Sequence, residues 1–101
     1  TDYEACIVAH YMARLQDTPE LVLKWNALAL EHADKSDPEH MKTFYPSLYL
    51  NMGKSYEDLE DMVQAKKFYL LAEKTVGVLP EDGLGAMTRD GIARALVRVG
   101  E

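Results

Sequence analysis

Apolar positions along this chain recur roughly every three or four residues, and nowhere do they alternate in twos. Ala5, Val8, Met12 and Leu15, with Tyr11 beside them, predict a first helix from Asp2 to Leu15 that ends at Gln16-Asp17. Thr18-Pro19-Glu20 reads as a helix start: a capping hydroxyl, a proline whose missing N–H is harmless there, and an acid facing the dipole. Leu21, Trp25, Leu28, Ala29 and His32 share one face of this second helix, with Trp25 expected as the largest buried anchor. Asp37-Pro38-Glu39 repeats the capping pattern and opens a third helix to about Leu59, striped by Leu48, Tyr49, Met52, Tyr56 and Leu59. Pro46 lies inside it and is expected to bend it, the alternative being a short lead-in divided from the main body. Asp61-x-x-Gln64 is a capping box for a fourth helix that runs to Val76 and is closed by Gly77. After the apolar connector Val78-Leu79-Pro80, a fifth helix over 81–99 carries Leu84, Thr88, Ile92, Ala95, Leu96 and Val99 on one face. Gly83, Gly85 and Gly91 weaken its propensity, so close packing must hold it. The expectation is an all-α chain of about five helices.

The stretch from Tyr49 to Ala72 organises these elements. It reads Tyr49-x-x-Met52-Gly53-x-x-Tyr56, then Ala65-x-x-x-Tyr69-x-x-Ala72, with acids Glu57 to Asp61 between. Gly53 removes a side chain where two helices approach, Ala65 and Ala72 keep the crossing tight, and Tyr69 supplies bulk. The stretch closely resembles a tetratricopeptide repeat, whose signature is W-x-x-L-G-x-x-Y followed by A-x-x-x-F. Placing Leu15-Gln16-Asp17 on Leu59-Glu60-Asp61 superimposes the two halves at an offset of 44 residues, with Ala9 on Gly53 and Trp25 on Tyr69. In the first half Ala9 replaces the glycine, Leu21 replaces the small alanine and no aromatic opens the motif. The resemblance implies one domain over 1–101: a degenerate hairpin over 2–36, a well-formed hairpin over 38–77 and a capping helix over 81–99, stacked as a right-handed superhelix. Phe44-Tyr45-Pro46-Ser47 and Gly91-Ile92-Ala93-Arg94 also look like small uncharacterised bacterial members of that superfamily. Two repeats and a cap fall below the roughly three that usually bury a continuous core. Further helices upstream, or a second copy, would complete it; the chain also opens on Thr1 rather than a methionine, as a trimmed or excised piece would.

Composition narrows the function classes. A formal net charge of −6 over 101 residues disfavours a general nucleic-acid binder and attraction to anionic membranes. No apolar run approaches a membrane span, and the first residues lack a signal-peptide pattern. The single Cys6 excludes an internal disulfide and fits a reducing, cytoplasmic setting.

Candidate chemistry is sparse. Cys6 and His10 lie four apart on one helical face, where a histidine-activated thiolate would be a nucleophile. Such pairs usually come from separate elements with a third orienting group, so a packed thiol is the preferred reading. His32 and His40 bracket a loop rich in Asp and Glu, yet neither HExxH nor paired cysteines appear, and no metal is expected. Glu57, Asp58, Glu60 and Asp61 lack the calcium-loop pattern, and Gly83-x-Gly85 lacks the context of a phosphate loop. No cofactor is implied.

The resemblance makes the first helix of each hairpin the lining of a concave groove. Its inward residues would be Tyr3, Cys6, His10 and Arg14, then Ser47, Leu50, Asn51 and Lys54, then Met87 and Arg94, with Arg98 one turn on. His10, Arg14, Ser47, Asn51, Lys54 and Arg94 are thus the candidate site. They suit a carboxylate held by charge-assisted hydrogen bonds, as one class of these repeats holds peptide C-termini. The competing reading pairs Arg14 and Arg94 with nearby surface acids. The function expected is a non-enzymatic scaffold that binds a protein or peptide segment, acidic or C-terminal. The alternatives are a self-associating homodimer and a small enzyme or ligand-binding domain using Cys6 and His10.

Overall fold

In the computed structural model, which describes residues 1–100, the chain forms six α-helices: α1 (Asp2–Ala13), α2 (Pro19–Asp34), α3 (Pro38–Met41), α4 (Tyr45–Asp58), α5 (Met62–Thr75) and α6 (Gly83–Arg98). No strand occurs among the described residues. The capping signals act where the sequence puts them. Thr18 accepts the amide of Leu21, Asp37 that of Glu39 and Asp61 that of Gln64, so each chain reversal ends by satisfying an otherwise orphaned helical donor.

The helices follow one another in a zigzag. A short turn folds α2 back on α1, α2 also packs on α4, α5 folds back on α4, and α6 packs on both α5 and α4. Two apolar clusters result: Cys6, Ala9, Ala29, Ala33, Met41 and Leu48 in one half, and Ala65, Tyr69, Ala72, Ile92, Ala95 and Leu96 in the other. Between them Asn26 of α2 donates to the Ser55 hydroxyl of α4 at 2.9 Å, both side chains buried.

Several expectations are corrected here. The third helix is divided rather than bent: α3 ends at Met41, and Pro46 stands in the first turn of α4, where its missing N–H is harmless. The buried face of α1 is Cys6, Ala9 and Ala13, and Val8, Tyr11 and Leu15 are exposed. Small residues win that face because they let α1 lie close to α2. On α2 the buried positions are Asn26, Ala29 and Ala33, and Leu21 is exposed. Trp25 is only half-buried, and Tyr69, fully inaccessible, is the largest enclosed side chain. Gly77 does not close α5 through a left-handed residue; α5 ends at Thr75 and runs into a 3-10 turn, Val76–Val78. On α6, Ile92, Ala95 and Leu96 are buried as expected, but Leu84 is exposed.

Candidate functional site

Three elements are fixed against one another around one surface. Thr1 caps α1 through the amide of Glu4, and Asp2 reaches His32 of α2 at 2.8 Å. Tyr3 stacks on His40 with ring centres 4.2 Å apart and meets Phe44 edge-on, so α1 is pinned to the segment leading into α4. Asp82 caps α6 by accepting the Gly85 amide at 2.8 Å. Arg89, one turn further along α6, donates to the carbonyls of Leu79 (2.8 Å), Pro80 (3.4 Å) and Val76 (3.5 Å). Gly85 is required at that crossing, since a β-carbon there would stand 2.1 Å from the Pro80 carbonyl oxygen. The apolar connector Leu79-Pro80 is thereby held beside α1 and α4.

These elements enclose a mainly apolar depression of about 530 Å³. Ile7, Phe44, Leu48, Leu79, Pro80 and Leu84 supply most of its apolar lining, and His10, Thr43, Ser47 and Asp82 are among its polar groups. A second, smaller depression of about 140 Å³ lies between α1, α2 and α4, lined by His10, Arg14, Asn26, Asn51, Lys54 and Asp58 among others. His10 lines both, so the two adjoin at that side chain.

The candidate residues divide across this surface. His10, Arg14, Asn51 and Lys54 meet in the smaller depression, and Ser47 lies with His10 in the larger. Arg94 lines neither and pairs with Asp90 on its own helix at 2.8 Å. Lys54 is paired with Asp58 at 2.9 Å. Arg14 forms no ion pair among the described residues; its guanidinium sits over the Tyr11 ring, 5.5 Å from the centre. The His10 Nδ1 lies 3.3 Å from the Asn51 amide nitrogen, and burial, aided by the Arg14 charge, holds the imidazole below its ordinary pKa. A neutral His10 accepts from Asn51 through Nδ1 and leaves an N–H on its other nitrogen.

Sequence reasoning did not find Asn26, Asp58, Leu79, Pro80 or Leu84 as lining residues. An asparagine on the apolar face of α2 and an apolar Leu-Pro connector were the available signals. Cys6 belongs to the floor of the larger depression but is 1% exposed, burial raises its thiol pKa, and no hydrogen bond joins it to His10. His32 and His40 are engaged with Asp2 and Tyr3, and among the described residues no cluster of His, Cys, Asp and Glu has metal-binding geometry. No helix among them is long and apolar enough to cross a membrane. The chain matches no protein-family model, no curated protein and no solved structure.

Proposed function

We propose that this chain is a tetratricopeptide-like interaction module: stacked helical hairpins with α6 as the cap, holding a protein or peptide segment across α1, α4 and α6. The family reading is supported by Gly53 packed on Tyr69 and by Ala65 and Ala72 wholly buried on α5. The observation that carries the function is the meeting at His10 of an apolar depression and a polar one lined by Arg14, which forms no ion pair among the described residues. Such a surface accepts an apolar side chain next to a carboxylate, the first by area removed from water and the second by charge-assisted hydrogen bonds from Arg14 and Asn51. The buried, protonated Cys6 gives an enzymatic reading little to work with.

The test is a calorimetric titration with short peptides that carry leucine or phenylalanine beside an aspartate or a C-terminal carboxylate. Binding that weakens in Arg14→Ala and in Ser47→Trp, which fills the larger depression, supports the reading. Equal binding by wild type and both variants contradicts it.

A second reading is favoured by Val8, Tyr11 and Leu15, which leave an apolar strip exposed along α1. That strip suits a second copy of the chain. Light scattering across a concentration series tests it, and a monomer at every concentration removes it.

A further inference from the structure

The apolar depression has two differently charged ends. Beyond His10 lies the cationic end, with Arg14 in no ion pair among the described residues and Lys54 neutralised by Asp58. Away from His10, at Asp82, the depression adjoins a shallow acidic patch formed by Glu81, Asp82, Ala86, Arg89 and Asp90. The charges there do not cancel. Arg89 is turned onto the carbonyls of Val76, Leu79 and Pro80, Asp90 is taken by Arg94, and Glu81 makes no ion pair among the described residues. Tyr11 from α1 and Leu84 from α6 both line the depression while remaining exposed, at 58% and 74%. Large apolar side chains kept in water at the rim of an apolar hollow are what a docking surface presents before its partner arrives.

We propose that this surface takes a bipolar peptide segment: a basic residue at Glu81, large apolar side chains over Leu48 and Leu84, and an acidic group at Arg14. The inference rests on the docking function above and adds the charge pattern of the ligand. Rim charges of opposite sign at the two ends favour one placement of such a segment and disfavour ligands of a single sign, because a like charge then meets one end. Either chain direction satisfies the pattern, so its signature is charge sign at each end rather than N-to-C order.

The experiment uses three peptides with the same two-leucine centre and glycine spacers. One has lysine at one end and aspartate at the other, one has aspartate at both, and one has lysine at both. Affinities are measured at about 0.15 M salt, where distant charges are screened and contacts at each end dominate. The mixed peptide should bind wild type tightest, with each mismatched end weakening binding about two- to fivefold, as exposed ion pairs do. Glu81→Lys should move the preference to the all-acidic peptide, and Arg14→Glu should move it to the all-basic one. Both side chains are on the surface, and circular dichroism checks that both variants fold. Equal affinities for the three peptides, or variants that keep the wild-type order, overturn the bipolar pattern. Binding that survives unchanged when Thr43→Trp obstructs the depression, or binding of none of the three, overturns docking itself.

Discussion

Gly53 on α4 lies directly against the ring of Tyr69 on α5: a β-carbon at position 53 would stand 2.5 Å from two of the ring carbons. The ring has no room to retreat. It is wholly inaccessible, and its hydroxyl donates to Glu57 Oε1 at 2.7 Å. Gly53→Val is therefore expected to destabilise the protein by about 2–4 kcal/mol in chemical denaturation, because a branched side chain must force two packed helices apart. In a Tyr69→Leu background the same substitution should cost much less, and additive losses would show that the two positions do not share the crossing.

Glu57 also joins α6 to the hairpin, accepting from Arg98 Nε at 2.9 Å and from a second guanidinium nitrogen at 3.2 Å. The hydrogen bond from Arg98, opposed by partial burial and aided by Tyr69, holds the Glu57 carboxyl below its ordinary pKa. The folded value thus lies below the unfolded one. Its stabilisation is complete above the unfolded pKa and disappears as pH falls through the folded value. Arg98→Ala should lower stability at neutral pH by only about 0.5–1 kcal/mol, since Arg98 is itself half-exposed. It should also flatten the acid limb of a stability profile measured by urea denaturation. An unchanged acid limb would mean that Glu57 does not contribute to it.

Glu60 holds φ at +62°, in the left-handed region, at the turn between α4 and α5. The Asp61 amide bonds back to the Tyr56 carbonyl and the Glu60 amide to that of Glu57, a helix ending usually completed by glycine. Glu60→Gly should raise stability by about 0.5–1 kcal/mol, the relief of backbone strain exceeding the entropy that glycine adds to the unfolded chain. A lower thermal midpoint would count against that balance.

The all-α architecture was legible because it rests on local signals: capping residues, prolines at helix starts and apolar spacing. The rotation of α1 was not. Its larger residues, Val8, Met12 and Leu15, suggested one face, whereas packing chose Cys6, Ala9 and Ala13, whose small size matters only once α2 is beside them. Pro46 carried no mark distinguishing a bend from a boundary, and only the separation of α3 from α4 decides it. Within the candidate site, His10, Arg14, Asn51 and Lys54 came from the groove that the repeat resemblance implies, and they line one depression. The connector was hidden: Leu79-Pro80 joins the surface through Arg89, nine or ten residues away, and through the absent side chain of Gly85, contacts that periodicity cannot encode.

His10 should report ligand charge. Its pKa is held down by burial and by Arg14, and an anionic group bound beside Arg14 would offset that charge and raise it. Binding of an acidic peptide should then take up protons and strengthen as pH falls toward and below the ordinary histidine value, about 6.5. His10→Gln should remove this dependence, measurable by titration calorimetry in buffers of different ionisation enthalpy.

The proposed docking surface is tested most directly by a backbone-amide NMR titration with the lysine–leucine–leucine–aspartate peptide. The account predicts that shift changes concentrate at Ile7, His10, Arg14, Ser47, Asn51 and Leu84, with Val63 on α5 unmoved. Shifts centred on Val63 and Met62, or no shifts at millimolar peptide, would contradict it.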